Sequence, residues 1–339
     1  MKRIMLNFPK SDTKAHALII IGMAGSGKST FVSSLKNHLL LSKDHKQIPY
    51  MINLDPAVSF VPFVPDLDIR TFHKHKEVMT KYKLGPNGAI MTCLNLFAAD
   101  IGKMIDAIEK KVAENPSQLF IIDTPGQIEA FNWSASGQII AAALAKTIPT
   151  SVLFVVDKPR CRNPNSFMSN MLFCISVLFR LKLPIMLIFN KADVEKDNQE
   201  VQNWLTDYDS FLKAISSRGT GYLGSLSRSL CLALDTFYKD LNYLFVSSIT
   251  GAGFEELAPK FEKLRLEYFD VYYKDLLEKL DSLKVDADDE EEEKAEEKKE
   301  EKKEEKAEKK EEKTEEKAEE KKEEKTEEKV NEASEASKD

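Results

Sequence analysis

A glycine-rich octapeptide, Gly22-Met23-Ala24-Gly25-Ser26-Gly27-Lys28-Ser29, lies between an apolar run at 17–21 and an amphipathic run at 31–41. That order predicts strand, loop and helix, the setting a phosphate-binding P-loop needs. Glycines let successive N–H groups turn inward around an anion. A helix starting near Lys28 aims the positive end of its dipole at the same point. The expected cradle is formed by Gly25, Ser26, Gly27, Lys28, Ser29 and Thr30. Lys28 can reach terminal phosphates, and the Ser29 hydroxyl can ligate Mg²⁺.

A second signal names the base. The apolar run at 185–189 leads directly into Asn190-Lys191-Ala192-Asp193, an N-K-x-D pattern. A carboxylate at Asp193 can accept the N1–H and 2-amino hydrogens of guanine, a paired donor edge that adenine lacks. Asn190 can brace the loop, and the Lys191 stem can lie along the purine face. Near the end of the body, a last strand at 244–248 runs into Thr250-Gly251-Ala252-Gly253. Around Ser248 this loop can offer backbone N–H to guanine O6, or it can simply be a helix N-cap at Thr250.

Between these lies the apolar run 118–122, then Asp123-Thr124-Pro125-Gly126-Gln127. A carboxylate at the end of a core strand beside a P-loop can hold Mg²⁺, usually through water, which assigns Asp123 to the metal with Ser29. Gly126 can present its N–H to a γ-phosphate, and Gln127 can orient an attacking water. A strand at 50–54 ends in Asp55-Pro56. Proline stops a regular continuation. Asp55 therefore reads as a group near the phosphates that holds Mg²⁺ indirectly or takes a proton from water, or else as an ordinary strand-end turn carboxylate. Gly85-Pro86-Asn87-Gly88 reads as a tight turn by composition.

The chain as a whole is acidic, but the acidity is local. Residues 286–339 hold 27 acidic and 15 basic side chains, so residues 1–285, with 29 acidic and 34 basic, are net positive. The C-terminal segment is Glu/Lys low complexity with almost no apolar residues. It is expected to stay solvated, either disordered or as transient single helices. Residues 1–285 are expected to form one large α/β domain with a helical insertion at about 198–241. Strands are expected at 17–21, 50–54, 118–122, 151–157, 185–189 and 243–247. The short apolar runs imply a mostly parallel sheet covered by helices on both faces. Each motif sits where a strand ends, the edge at which open α/β sheets bind ligands. Cys93, Cys161, Cys174 and Cys231 show no C-x-x-C pairing, so neither zinc nor a disulfide framework is expected. No apolar run reaches membrane-spanning length, and residues 1–14 are too polar for a secretory signal. A soluble, cytoplasmic chain with no membrane or direct nucleic-acid partner is the expectation. Leu276, Leu277, Leu280 and Leu283 read as a packing face or a leucine-rich export signal.

Taken together, the P-loop, Gly85-Pro86-Asn87, the run Asp123-Thr124-Pro125-Gly126-Gln127-Ile128-Glu129 and Asn190-Lys191-Ala192-Asp193 resemble the GPN-loop GTPase family. The likeness spans residues 17 to about 283. Further stretches resemble one eukaryotic subgroup: Asn53-Leu54-Asp55-Pro56-Ala57-Val58, Asn132-Trp133-Ser134-Ala135-Ser136-Gly137 and Phe167-Met168-Ser169-Asn170-Met171-Leu172. The resemblance implies a P-loop NTPase fold, GTP/GDP and Mg²⁺ as ligands, and GTP hydrolysis. It also implies a homodimer, or a heterodimer with a paralogous GPN-loop GTPase, in which Asn87 stabilises phosphate in the neighbouring subunit. Asp55, Gln127 and Glu129 become the candidates that position water. The subgroup is linked to RNA polymerase II subunits, their assembly and nuclear import, which implies shuttling to the nucleus. Met23 stands where related dimeric ATPases carry a second lysine, so no charge is delivered in trans from that position. Phosphoryl transfer depends on positioning and charge stabilisation, so intrinsic turnover is expected to be low. Two alternatives remain at this stage. One is a chaperone-like binding module that uses GTP as a structural switch. The other is a nucleotide kinase, which would need an arginine-rich lid.

Overall fold

In a computed structural model, residues 9, 13–42, 48–195, 197–216, 228–231 and 241–275 are described. The chain divides into residues 1–274 and 275–339. The Glu/Lys segment at 286–339 and the leucines at 276, 277, 280 and 283 lie outside the described residues.

Seven strands form one sheet: β1 His16–Gly22, β2 Tyr50–Asn53, β3 Leu67–Asp68, β4 Leu119–Asp123, β5 Thr150–Asp157, β6 Ile185–Asn190 and β7 Asn242–Phe245. Their order is β3-β2-β4-β1-β5-β6-β7, and every pairing is parallel. Parallel strands are covered on both faces, and the sequence shows it. Along β1, Ala17, Ile19 and Ile21 join one apolar cluster, while Leu18 and Ile20 join the other. Along β6, Ile185, Leu187 and Phe189 alternate in the same way with Met186 and Ile188. Each Ile, Leu, Met or Phe side chain so buried contributes about 1.5–3 kcal/mol.

The smaller cluster is closed by α1 (Lys28–Leu41) and by a later helix spanning Leu257–Glu267. The larger is closed by α2 (Ile69–Phe72), α4 (Pro86–Ala99), α5 (Gly102–Glu114), α6 (Ile128–Asn132), α7 (Ala135–Thr147), α8 (Pro164–Leu181), α9 (Gln199–Thr206) and α10 (Tyr208–Ser216). The short α3 (His75–Tyr82) packs on α4 through Val78, Ala89 and Cys93. The Leu257–Glu267 helix is α11. It continues into one π-helical stretch, Tyr268–Tyr273, where Tyr268 is buried and donates its hydroxyl to the Ala145 carbonyl.

Three expectations change. Gly85-Pro86-Asn87-Gly88 is not a tight turn but the N-terminus of α4, with Gly85 extended as N-cap and Pro86 at the first helical position. Proline is favoured there because it lacks an N–H that would be unsatisfied anyway, and its φ already suits a helix. The helical insertion expected at about 198–241 opens as two helices, broken at Asp207, whose carboxylate caps the N–H of Asp209, and of its later part only 228–231 and 241 are described. Third, β3 and α2–α3 were not anticipated, because β3 is two residues long and carries no readable alternation.

The described part of the expected insertion is not a separate layer. Val201, Trp204, Leu205, Phe211 and Ile215 are buried in the larger cluster, and the Phe167 ring lies 5.5 Å from Trp204 and 5.1 Å from Phe211. The cysteines expected to be reduced are free and buried. Burial pushes the Cys161 thiol up to about 12, so it is inert as a thiolate near neutrality. No single described helix is long and apolar enough to cross a membrane.

Candidate functional site

The carboxyl ends of β1, β2, β4, β5 and β6 converge on one edge, with the loop after β7 alongside. The P-loop leaves β1 there. Gly25 and Gly27 have positive φ of 79° and 91°. At Gly27 a Cβ would also sit 2.6 Å from the Asn190 amide nitrogen, so glycine is required on two counts. Lys28 is buried, and its ammonium donates to the carbonyls of Gly22 at 2.8 Å and Met23 at 3.2 Å. Burial lowers its pKa, and the charges of Asp123 and Asp55 oppose that shift.

The Ser29 hydroxyl donates to Asp123 Oδ2 at 2.6 Å. The other carboxylate oxygen, Oδ1, is buried and without a partner. Desolvation raises the Asp123 pKa to about 6, against the Ser29 hydrogen bond and the Lys28 charge. An orphaned buried carboxylate oxygen beside a hydroxyl suits Mg²⁺, which takes few protein ligands and completes its shell with phosphate and water. Among the described residues no group of three or more His, Cys, Asp or Glu side chains forms a metal cluster. The residues present therefore fit a phosphate-shared ion.

The N-K-x-D loop is tied directly to the P-loop. Asn190 Nδ2 donates to the Ser26 carbonyl at 3.1 Å, and its Oδ1 accepts from Lys191 N and from both the N–H and the hydroxyl of Ser248. Lys191 has a positive φ of 65°, and its ammonium bridges the Gly25 carbonyl and Asp157 Oδ2, each at 2.8 Å. Asp193 Oδ1 accepts from the Ser247 hydroxyl at 2.6 Å, which orients the carboxylate. Thr250 is not a helix N-cap; its N–H is bonded to Ser247 Oγ, and the next helical turn begins at Phe254.

At the other end, Asp55 Oδ1 caps the N–H of Ala57, and Oδ2 accepts a long 3.4 Å bond from Gly126 N. Gln127 Nε2 donates to Asn87 Oδ1 at 2.8 Å within this one chain. The structure thus brings the start of α4 to the loop after β4. Glu129 is exposed in the first turn of α6, and its carboxylate has no hydrogen bond among the described residues. Thr30 is exposed in the first turn of α1.

A family model described as a conserved hypothetical ATP binding protein matches residues 20–265. The GPN-loop GTPase 1 of Saccharomyces cerevisiae is 46% identical over 276 residues, covering 79% of this chain and 70% of that protein. The GPN-loop GTPase QQT2 of Arabidopsis thaliana is 45% identical over 257 residues, covering 76% of this chain and 66% of that protein. The chain belongs to the GPN-loop GTPase family. A crystal structure of PAB0955, described as a GTPase in apo form from Pyrococcus abyssi, aligns with a TM-score of 0.64 and 25% identity, over 76% of this chain and 98% of that one. The fold expected from sequence is thereby established for this GPN-loop GTPase.

Several supporting residues escaped motif reading. Ser247, not only Ser248, belongs to the site. Asp157 anchors Lys191 from the end of β5. Asn53 accepts from Asp55 N at 3.1 Å and donates to Asp68 at 3.0 Å, and Asp68 is itself clamped by the Arg70 guanidinium. That chain of bonds fixes the backbone from which Asp55 projects. Such residues serve the motifs through space, and spacing along the sequence does not report them.

Proposed function

We propose that this GPN-loop GTPase binds GTP with Mg²⁺ and hydrolyses it slowly, acting as a nucleotide-driven switch. The observation that carries the reading is the Asn190 amide, which bonds the Ser26 carbonyl on one side and Ser248 on the other. Base loop and phosphate loop are therefore one rigid frame, and Asp193 is held at a fixed distance from Lys28. The family model's description mentions ATP, but an aspartate acceptor suits guanine's paired N–H donors and leaves adenine's edge unmatched.

In this reading, the amides of Gly25 to Thr30 receive the phosphates. Lys28 exchanges its two carbonyl partners for the terminal phosphate groups. Ser29 and Asp123 would hold Mg²⁺, which supplies charge neutralisation on the β- and γ-phosphates. Asp55 and Gln127 orient the attacking water. Glu129 would have to turn inward to take part. Loss of the γ-phosphate frees Gly126 and, through its bond to Asp55, the segment after β2.

The dimeric state, with Asn87 acting on the neighbouring subunit, is supported by the family resemblance. So is a cellular role in assembly and nuclear import of RNA polymerase II, with the protein cytoplasmic and passing to the nucleus. Asp193→Asn tests the biochemical reading. Calorimetry with Mg²⁺ should show GTP binding weakened and xanthosine triphosphate binding gained, because the amide presents a donor where the carboxylate presented only acceptors. Unchanged preference for GTP would sink the base assignment.

A further inference from the structure

The loop that carries Asp193 has three limbs to secure. Its start is held by Asn190 and Lys191. Its middle is held by the segment after β7, through Ala192 N to the Val246 carbonyl at 3.0 Å and Ser247 to Asp193. Among the described residues, its far limb, from Val194 toward α9, makes no backbone hydrogen bond to a strand. That limb is held from β5 instead.

Lys158, one residue past the end of β5, is 2% exposed. Its ammonium donates to the backbone carbonyl of Glu195 and, at 2.8 Å, to that of Asp197. It also lies 5.9 Å from the centroid of the Phe245 ring on β7. Four residues on from Lys158, the guanidinium of Arg162 pairs with the Glu195 carboxylate at 3.2 Å. A buried ammonium is costly unless it is bonded, and here its acceptors are neutral carbonyls of a single loop. Burial lowers its pKa, as expected for a cation buried this deeply, while Glu195 and Asp197 raise it. No phosphate-binding or hydrolytic step makes use of this lysine.

We propose that Lys158 is a positioning residue for guanine selectivity, clamping the limb beyond Asp193 so that its carboxylate meets the base. The inference rests on the reading of Asp193 as the guanine acceptor. The clamp acts through Glu195 and Asp197, two and four residues past Asp193. Without it these carbonyls turn to water, because Glu195 is half-buried and Asp197 exposed. Asp193 then keeps only Ser247 as its side-chain guide. Lysine acts here by donating to carbonyls, so an apolar side chain of similar length removes the function and retains the packing.

The test uses the full chain with Lys158→Met, Arg162→Ala and Asp193→Asn, alone and paired, with GDP, xanthosine diphosphate and ADP as ligands. Lys158→Met should weaken GDP binding roughly tenfold, the loss expected for hydrogen bonds made by a charged group. ADP binding should be unchanged. Arg162→Ala, which removes an exposed ion pair, should weaken GDP binding about twofold. In saturating GTP, kcat should hold while KM rises. Adding Lys158→Met to Asp193→Asn should cost little further GDP affinity, since the contact it positions is already gone. Wild-type GDP affinity in Lys158→Met would overturn the proposal. Equal losses for GDP and ADP would also overturn it, because they would mark a general structural role. If Asp193→Asn leaves base preference untouched, the underlying base assignment falls first and the clamp with it. The smaller Arg162→Ala effect keeps the proposal testable if the methionine variant unfolds.

Discussion

At the base end, Asn190, Lys191, Asp193, Ser247 and Ser248 are tied to one another or to their loops by bonds of 2.6–3.2 Å. At the γ-phosphate end, Asp55 and Gly126 are joined by one 3.4 Å contact, and Gln127 and Asn87 meet at the surface. The difference has a physical basis. In the proposed reading the base end meets a group that is the same in GTP and GDP, so a rigid, prepaid arrangement favours affinity. The γ-phosphate end must respond to a group that comes and goes, and a weakly bonded segment responds with little opposing energy. Between them, Lys28 belongs to both in the proposed reading, because it is buried in the rigid frame and would exchange its two carbonyl partners for the phosphates.

Lys28→Ala should give the largest effect. It removes the cation between Asp55 and Asp123 and leaves their charges facing the incoming phosphates. GTP affinity should fall by at least about 100-fold, measured by calorimetry with Mg²⁺. Affinity within a few-fold of wild type would mean the amides alone hold the nucleotide. Asp193→Asn should come next, with GTP weakened by about 100-fold and xanthosine triphosphate correspondingly gained. Both substitutions strike ground-state binding, as a prebuilt region requires.

Asn87→Ala and Gln127→Ala should separate the two ends. Each removes one partner of an exposed hydrogen bond that holds α4 against the loop after β4. Single-turnover hydrolysis should slow by about tenfold or more, while GTP affinity changes less than about twofold. A matching loss of affinity would break the comparison, since it would make this end part of the binding frame. The resemblance places Asn87 in a neighbouring subunit's site, yet within one chain it is engaged by Gln127. Mixing Asn87→Ala with Lys28→Ala chains distinguishes the two arrangements: recovery of turnover in the mixture supports action across the dimer, and no recovery supports action within the chain.

How far the site was legible in sequence follows the same division. Strand-end motifs with fixed spacing, Gly25 to Ser29, Asp123 and Asn190 to Asp193, appear where expected because the parallel sheet forces each strand's end to one edge. The unbroken apolar runs of β1 and β6 made the two-faced core equally readable. Gly85-Pro86-Asn87 was misread because a proline beside glycine signals both a turn and a helix start, and only α3 packing on α4 decides between them. Asp157, Lys158 and Ser247 were invisible because each acts on the N-K-x-D loop from another strand or loop, and Asp68 because it supports Asp55 only through Asn53. Their neighbours exist only once the sheet order places β2 beside β3 and β5 beside β6.

The last effect falls on stability and not on nucleotide handling, and is expected at the end of the sheet away from the site, where β1 begins. His16 is buried, and its Nε2 bonds the Ser151 hydroxyl at 2.9 Å. Burial, with help from Arg265, lowers its pKa to about 3, so the folded chain holds a neutral ring. A folded-state pKa below the ordinary 6.5 means that this group's stability contribution is complete above that value and shrinks as pH falls toward 3. By pH 5 the loss should reach about 2 kcal/mol, visible as a lower urea midpoint. His16→Gln cannot titrate, so the gap between wild type and variant should narrow by that amount between about pH 7 and pH 5. A constant gap would mean that the ring has the same pKa in the folded and the unfolded chain. Because β1 carries His16 at one end and the P-loop at the other, this acid loss weakens the frame beneath both ends. It should therefore leave the GTP-over-GDP preference of the folded fraction unaltered, and a pH-dependent change in that preference would show that the rigid end is softer than its hydrogen bonds imply.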